Sequence, residues 1–514
     1  MTRYPKTIAL AAGLASATGF APLGWWPVTL IAFAVLMMLV GKAPSSWASF
    51  VRGWTFGIGH FSLGLNWIAH AFDFQNAMPH WLGYVAVVVL SLYLAVYPGI
   101  AAWLAWRIAG SGERGRFSVA FAAAWIATEY LRATLFTGFA WNSLGVIWVG
   151  TFVAGASQWI GTYGLSGLTI LACGGLVWFA IHLVHEIGRK PLTPVRIIAL
   201  VAFFILPEAV AIGIVPFLFP TTPQAVRDVG PAIRIVQPNL SLAEQRNGAA
   251  DESNVALLER LTGPATSSPR LILWPEGAVP YYLDEESWAR FRLAKLLGPR
   301  DILLTGGSML IYNKAGDLTA ARNSVFAINA NSDIVARYDK THLVPYGEYL
   351  PARPILSAIG LARLVESDVD FIPGEGSLTT TLPGFGKVGV QICYEIIFSG
   401  QVSDLADRPA FIFNPSIDAW FGAWGPPQHL AQARLRAVEE GLPIVRATTT
   451  GISAVIDADG RVLAALPLDK AGFIATRLPP PKPPTFFARH GNTIPLALAL
   501  LLAIAAIAPR FRRG

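Results

Sequence analysis

Charged residues, cysteines and metal-binding clusters are scarce in this chain of 514 residues. Asp, Glu, Lys and Arg together make up 14% of the sequence, whereas soluble domains usually carry about 25%. The composition therefore excludes a protein that is soluble along its whole length. Two cysteines are too few for a disulfide framework. Neither a second nearby cysteine nor an HxxxH spacing accompanies His342 and His429, so we expect no metal and no other cofactor.

Apolar sequence is abundant instead, and it is concentrated in about the first 220 residues. Runs of about 17 to 25 apolar residues are long enough to cross a bilayer as helices. The first run follows Arg3 and Lys6, but a second run comes directly after it without a clear cleavage site, so we interpret the first as a retained helix. Eight spans are predicted, near residues 7–23, 25–41, 50–71, 81–108, 117–136, 165–185, 197–219 and 493–509.

The positions of Lys and Arg in the short loops predict the orientation of these spans. The loop HAFDFQNAMPH (70–80) has neither residue. We therefore expect both termini in the cytoplasm and the region 230–480 on the extracytoplasmic side. The net charge of +7 comes partly from these anchoring residues and does not indicate nucleic-acid binding. They are Arg3, Lys6, Lys42, Arg52, Arg107, Arg114, Arg116, Arg189, Lys190, Arg196, Arg510, Arg512 and Arg513.

The region between the seventh and eighth spans has the composition of a globular domain. We divide the chain into a seven-helix transmembrane domain (1–225), a soluble domain (228–480) and a C-terminal helix with a basic tail (490–514). In the soluble domain, short β-rich runs alternate with helical stretches such as ESNVALLERL and SWARFRLAKLL. The alternation predicts an α/β domain with helices packed on sheets, an α/β/β/α sandwich. The predicted strands are 232–240, 269–277, 300–310, 324–340 (a hairpin), 388–395, 410–416 and 443–463.

Three of the predicted strands end in residues that are capable of chemistry. One ends at Glu276, the second strand of the hairpin ends at Lys340, and a third ends at Cys393. Side chains just beyond strand ends converge on a common crevice in layered sheets. A thiolate nucleophile, a carboxylate that accepts its proton and an ammonium that stabilises an oxyanion together suit acyl transfer. No histidine is required for this chemistry.

Cys393 is predicted to be unpaired. The other cysteine, Cys173, lies in the middle of the predicted span 165–185 and cannot reach an extracytoplasmic domain. A lone cysteine is ordinarily a buried and inert residue. The segments around Cys393, Glu276 and Lys340 decide between this ordinary interpretation and a functional one.

The segments around these three residues resemble a known superfamily. WPE (274–276), YDKTHLVPYGEYLP (338–351) and GVQICYEIIF (389–398) resemble the catalytic segments of the nitrilases, or carbon-nitrogen hydrolases. Together with the membrane spans, NPSIDAWFG (414–422) and QHLAQARLRAVE (428–439) resemble the membrane-bound apolipoprotein N-acyltransferase family. The resemblance implies an αββα sandwich with Glu276 as general base, Lys340 as oxyanion stabiliser and Cys393 as nucleophile.

The resemblance also implies a set of supporting residues. Glu348, Tyr394 and Glu395 match positions near the catalytic residues of the family. Trp420 and Phe421 form an aromatic pair in a glycine-rich loop, which we interpret as a lipid-contacting pair, the alternative being that they are core aromatics. One departure is that QPNLSLAEQRNG (237–248) lacks the tryptophan that the family often places after its Gln-x-Asn strand end.

The function that the resemblance implies is ping-pong acyl transfer in a bacterial inner membrane, with the catalytic domain in the periplasm. The donor would be a glycerophospholipid and the acceptor the diacylglyceryl-cysteine amine of an apolipoprotein, and we expect a monomer. The long connection 345–375 is a candidate gate for these substrates. Two alternatives are a membrane-tethered amidase or nitrile hydrolase, and a non-catalytic scaffold for envelope partners. The chain lacks a convincing set of serine acyltransferase motifs.

Overall fold

The computed structural model describes residues 4–74, 79–110, 114–187, 230–351, 369–376 and 379–511. The chain divides into two compact units. The first unit lies within residues 1–65, 87–225 and 492–514, and the second within 66–86 and 226–491. Residues 66–86, which fall inside the predicted N-terminal membrane domain, thus belong to the unit that contains the sheets.

The first unit is helical where the structure describes it. Helices α1 and α3 approach each other closely because glycines face the partner backbone. A Cβ atom on Gly13 would lie 2.0 Å from the carbonyl oxygen of Phe56, and one on Gly59 would lie 2.4 Å from that of Leu10. Among the described residues, the first seven α-helices and the last one are α1 Pro5–Ala17, α2 Trp26–Gly41, α3 Ser46–Gly64, α4 Leu82–Leu94, α5 Val96–Ala109, α6 Arg114–Thr134, α7 Ser157–Ile187 and α13 Thr493–Phe511.

Two helical stretches among the described residues are long and apolar enough to cross a membrane. They are Leu82–Ala109 and Phe152–Ile181. Two shorter apolar helices, Trp26–Gly41 and Thr493–Ala508, also coincide with predicted spans. The predicted span 197–219 lies outside the described residues, and the count of eight spans therefore stays a prediction. The predicted span 50–71 differs from the structure, in which α3 ends at Gly64 and a 3-10 helix, Asn66–Phe74, follows.

The second unit is built on two six-stranded sheets. The strand order is β12-β1-β2-β3-β4-β5 in the first sheet and β11-β10-β9-β8-β7-β6 in the second. Strands β1, β2 and β3 are parallel, as are β7, β8 and β9. The strands are β1 Ala232–Gln237, β2 Arg270–Leu273, β3 Ile302–Tyr312, β4 Leu318–Asn329, β5 Ile334–Asp339, β6 Thr379–Leu382, β7 Gly386–Val390, β8 Phe411–Ser416, β9 Ile444–Thr448, β10 Ala454–Ile456, β11 Val462–Ala465 and β12 Gly472–Arg477.

Apolar side chains from both sheets form one core between them, including Ile235 and Leu273 from the first sheet and Val390 and Phe413 from the second. A second core covers the other face of the first sheet. Helices thus pack outside the sheets, which is the predicted α/β/β/α layering. The other α-helices within the described ranges are α8 Leu242–Arg246, α9 Asp251–Thr262, α10 Ser287–Ala294, α11 Gly425–Glu440 and α12 Phe486–His490.

Cys393 does not lie in a strand, although the predicted strand 388–395 includes it. Strand β7 ends at Val390, and Cys393 begins a 3-10 helix, Cys393–Ile397. The φ angle of Cys393 is +51°, which is incompatible with extended strand backbone. The predicted strand is therefore wrong over its last five residues, because the chain turns sharply at the thiol.

Candidate active site

Glu276 follows β2 at the edge of the first sheet. The backbone there lies against β3, since the N–H of Gly306 donates to the carbonyl oxygen of Pro275 at 3.2 Å. A Cβ atom on residue 306 would lie 2.6 Å from the Cα atom of Glu276, so this approach requires glycine. The Glu276 carboxylate is 6% exposed. Its Oε2 accepts from the N–H of Ile417 at 2.9 Å, and its Oε1 accepts from the amide of Asn323 at 2.7 Å.

Lys340 comes directly after β5, and its ammonium lies between two carboxylates. Its Nζ is 2.9 Å from Oε1 of Glu348 and 3.6 Å from Oε1 of Glu276. The side chain is 1% exposed. The Lys340 N–H donates to the carbonyl oxygen of Asn323, and its own carbonyl oxygen accepts from the N–H of Gly374, both at 2.8 Å. The backbone of the lysine is thus held on both sides.

Asn323 connects the two carboxylates. Its amide nitrogen is 2.7 Å from Oε1 of Glu276 and 2.8 Å from Oε1 of Glu348. The second oxygen of Glu348 accepts from the N–H of Val344 at 2.7 Å. The neutral amide of Asn323 therefore donates to both acids, and the Lys340 ammonium donates to Glu348 and forms an ion pair with Glu276. These contacts hold the carboxylates close together and lower the cost of removing them from water.

Hydrogen bonds to Glu395 connect the turn at Cys393 with the segment that follows β5. Its carboxylate accepts from the hydroxyl of Tyr338 at 2.9 Å, from the N–H of Thr341 at 2.8 Å and from the N–H of His342 at 3.0 Å. It also accepts from the N–H of Ile392 at 2.7 Å, one residue before the thiol. A single buried carboxylate thus joins the segments that carry the lysine and the cysteine.

Burial and charge set the protonation states of the three central groups. Burial raises the pKa of Glu276, and the Lys340 ammonium opposes that rise. Burial by itself lowers the pKa of Lys340, but the carboxylates of Glu348 and Glu276 outweigh it, so the pKa is raised. Burial and the Glu276 carboxylate raise the pKa of the Cys393 thiol well above its usual value, while Lys340 opposes them. The resting site therefore holds a thiol and an ammonium, and the thiol needs a base.

Comparison with known proteins identifies the family of this chain. Residues 12–175 match the family described as the apolipoprotein N-acyltransferase N-terminal domain, and residues 233–481 match the carbon-nitrogen hydrolase family. The chain is 35% identical over 519 residues to a Rhodopseudomonas palustris protein named apolipoprotein N-acyltransferase, covering 98% of this chain and 95% of that protein. It is also 35% identical to the protein of the same name from Bradyrhizobium diazoefficiens, covering 97% of this chain and 94% of that one. The chain belongs to the apolipoprotein N-acyltransferase family.

The carbon-nitrogen hydrolase match of this N-acyltransferase family member contains Glu276, Lys340 and Cys393. The structure brings Glu276, Lys340 and Glu348 into direct contact. The Glu395 carboxylate accepts a hydrogen bond from the N–H of Ile392, within the turn at Cys393. Both Cys393 and Cys173 are buried free thiols. The part of the predicted gate at 352–368 lies outside the described residues.

The other predicted supporting residues lie farther along these segments. The Tyr394 ring packs edge-on against Phe398 with 5.2 Å between centroids, in a cluster that includes His342. Trp420 and Phe421 are both half-buried. Their partners come from the 3-10 helix Asn66–Phe74, because Trp420 meets Phe74 and Phe421 meets Trp67, with centroids 5.7 and 4.7 Å apart. These aromatic contacts favour the packing alternative, and a contact with lipid stays a prediction.

Sequence reasoning missed two groups that shape the site. The first is Asn323, which stands between Arg322 and Ser324 in strand β4, so that the sequence offers only a short polar run as a signal for it. His429 was considered only as a metal ligand. In the structure its ring lies 3.0 Å from the carbonyl oxygen of Cys393 and beside a buried pair, Asp418 and Arg446. No sequence spacing links Cys393 with these three residues, which come from separate elements.

Proposed function

We propose that this chain transfers an acyl chain from a membrane glycerophospholipid, through a thioester on Cys393, to the N-terminal diacylglyceryl-cysteine amine of apolipoproteins. This is the last step of lipoprotein maturation. The observation that carries the proposal is the contact of Lys340 with Glu276 and Glu348, together with a buried free thiol at Cys393 on which the charges of Glu276 and Lys340 act, in a chain of the N-acyltransferase family.

In the first half-reaction, Glu276 accepts the proton of the Cys393 thiol as sulfur attacks the ester carbonyl. The Lys340 ammonium and the N–H of Tyr394 stabilise the oxyanion that forms. The intermediate collapses by breaking the bond to the lysophospholipid oxygen, which takes the proton from Glu276. Burial raises the pKa of Glu276, which makes its carboxylate a stronger base for the thiol proton.

In the second half-reaction, the α-amine of the apolipoprotein attacks the thioester. A new carbon–nitrogen bond forms, the carbon–sulfur bond breaks, and the amine proton passes through Glu276 back to the Cys393 sulfur. The two half-reactions share one oxyanion position, which is a feature of ping-pong chemistry at a single nucleophile. Water competes with the amine for the thioester, and the burial of Glu276, Lys340 and Cys393 limits the access of water.

The membrane setting follows from the substrates and from the charge distribution. Both substrates are amphiphiles that reside in a bilayer. The Lys and Arg residues of the short loops favour cytoplasmic termini and a periplasmic catalytic domain. A catalytic domain on that side would draw its donor from the outer leaflet of the inner membrane.

Mass spectrometry of the purified protein tests the proposal. After incubation with dipalmitoyl-phosphatidylethanolamine, the peptide that contains Cys393 should gain the mass of one palmitoyl group. Addition of a peptide with an N-terminal diacylglyceryl-cysteine should remove this group and acylate the peptide amine. Hydrolysis of small amides with no lipid-derived thioester would identify a membrane-tethered amidase instead. The absence of any acyl-enzyme would favour a scaffold.

A further inference from the structure

The peptide group between Cys393 and Tyr394 is held by its carbonyl oxygen. His429 Nε2 lies 3.0 Å from this oxygen, and the Asn414 amide nitrogen lies 3.4 Å from it. A carbonyl oxygen only accepts hydrogen bonds, so Nε2 of His429 carries a hydrogen and donates it. The φ angle of +51° at Cys393 is unfavourable for a residue with a side chain, so this turn needs such external contacts to persist.

The surroundings of His429 fix which ring nitrogen carries the hydrogen. Nδ1 lies 2.9 Å from Nη2 of Arg446 and 3.0 Å from Oδ1 of Asp418. Arg446 binds both oxygens of Asp418, and all three residues are buried. Burial and the Arg446 guanidinium lower the pKa of His429, and the Asp418 carboxylate opposes them. Whether the ring is neutral or charged, the hydrogen on Nε2 donates to the Cys393 oxygen.

Helix α11 places the ring accurately. It begins at Gly425 and carries two prolines in its first turn, Pro426 and Pro427, whose fixed φ angles suit that position. His429 follows one turn later and is fully buried. The edge of the Phe421 ring packs against the imidazole, with centroids 5.7 Å apart. The imidazole is therefore restrained on several sides and acts as a rigid donor.

We propose that His429 is a positioning residue that orients the Cys393–Tyr394 peptide, so that the N–H of Tyr394 points to the oxyanion. A trans peptide is planar, and its C=O and N–H point in opposite directions. Anchoring the oxygen on the His429 side therefore directs the N–H to the opposite side of the plane. If the peptide flipped, it would present a carbonyl oxygen to the developing negative charge. The inference rests on the proposed function, which uses this N–H.

Two amide substitutions separate this role from simple packing. His429→Gln places an amide nitrogen near the position of Nε2, where it can still donate to the Cys393 oxygen. His429→Asn is its matched control, because its shorter amide reaches only the Nδ1 region. We expect acyl-enzyme formation from phospholipid to remain within about 3-fold of the parent chain in the Gln variant. In the Asn variant it should fall about 10- to 100-fold, up to the range for loss of one oxyanion donor.

Alkylation of Cys393 by iodoacetamide distinguishes a positioning role of His429 from a packing role. A packing defect would slow alkylation and acylation alike, whereas a misdirected Tyr394 N–H would slow only acylation. In this reaction sulfur displaces iodide at a saturated carbon, the thiol proton passes to Glu276, and no oxyanion forms. We therefore expect both variants to alkylate Cys393 at nearly the parent rate, measured on the Cys393 peptide by mass spectrometry. Equal losses of alkylation and acylation in the Asn variant would overturn the inference, as would equal acylation by the Gln and Asn variants.

A second acyl donor keeps this result distinct from failure of the proposed function. A p-nitrophenyl ester acylates a thiol through the same kind of oxyanion but needs no lipid site. If the parent chain accepts the ester and not the phospholipid, the donor assignment fails, while the comparison of the two His429 variants still tests the peptide orientation. If Cys393 accepts neither donor, both the proposed function and the inference fail.

Discussion

Replacing Lys340 by methionine tests the charge arrangement of the site most directly. Methionine keeps much of the length of the side chain but removes its charge and its hydrogen-bond donors. The ammonium is 1% exposed and lies 2.9 Å from Glu348 and 3.6 Å from Glu276. The substitution therefore leaves two buried carboxylates that share the amide of Asn323 without the cation between them.

Two effects lower the expected rate of thioester formation in Lys340→Met. Loss of one oxyanion donor lowers the rate about 10²- to 10³-fold. In addition, two neighbouring carboxylates without a cation favour binding of a proton, and a protonated Glu276 cannot accept the proton of Cys393. We therefore expect thioester formation in Lys340→Met to fall by at least about 10²-fold. Removal of one partner of a buried ion pair costs about 3–5 kcal/mol, and uptake of a proton by one carboxylate should reduce that cost.

The assay is rapid mixing of purified protein with phospholipid, followed by acid quenching and mass measurement of the Cys393 peptide. Lys387→Met is the matched control. Lys387 lies in β7 and pairs with Asp407, but its side chain is 48% exposed. An exposed pair of this kind contributes about 0–1 kcal/mol to stability, so the control should form the acyl-enzyme at the parent rate.

Two results would refute this reasoning. If Lys340→Met forms the acyl-enzyme at the parent rate but fails to transfer it to the amine, Lys340 acts only in the second half-reaction. If both half-reactions proceed normally, Lys340 is structural and the oxyanion is stabilised by other groups. A variant that is unfolded is recognised beforehand by its thermal melting curve, and proton uptake by the carboxylates should keep Lys340→Met folded.

Four further outcomes are expected. Cys393→Ser should form no acyl-enzyme because a hydroxyl ionises far less readily than a thiol, whereas Cys173→Ser should form it normally; acylation of the first variant would contradict the nucleophile assignment. Glu395→Gln should lower the free energy of unfolding by about 1.5–3 kcal/mol, since it loses charged hydrogen bonds; an unchanged melting temperature would contradict this. Burial raises the pKa of Glu440 from 4.5 to about 7. The folded state thus holds this proton more tightly, and stability should fall by about 3 kcal/mol as the pH rises from 4.5 through 7. Glu440→Gln should remove that fall, and an identical pH profile would refute the argument. A cysteine reporter at Asp251 should react with a membrane-impermeant reagent from the periplasm and one at Arg512 should not; the reverse would overturn the orientation.

The sequence could locate the candidate catalytic residues because each lies at or just beyond the end of a predicted strand. Glu276 comes after β2, Lys340 immediately after β5, and Cys393 three residues after β7. Such positions can be located from local pattern alone. The turn at Cys393 could not be located in this way, because its positive φ depends on contacts made by His429 and Glu395 from both sides of the turn.

Features that depend on pairing between distant segments were not predictable. Strand β12 (Gly472–Arg477) was not among the predicted strands, yet it pairs antiparallel with β1, more than two hundred residues earlier. Asn323 reaches both carboxylates only because β4 pairs with β3 and β5 in one particular register. A single sequence contains the residues but not the register. The placement of residues 66–86 was not predictable for a similar reason. Their apolar pattern assigns them to the membrane domain, but their contacts with distant segments assign them to the second unit.

One lysine suffices for Glu276, Glu348 and Glu395 because these carboxylates are stabilised in different ways. Glu395 is satisfied by hydrogen bonds from Tyr338 and from backbone N–H groups, so Lys340 is available to Glu276 and Glu348. In the proposed mechanism the reaction starts with both of these acids ionised and the lysine protonated, a net charge of −1. When Glu276 takes the thiol proton and the oxyanion forms, the net charge of the buried group is still −1, because the negative charge has moved from Glu276 to the substrate. A low-dielectric site strongly penalises a change in net charge but penalises such a displacement much less. The proposed mechanism therefore needs no charge to enter from water, and the fixed position of Lys340 determines where the displaced charge is most stable.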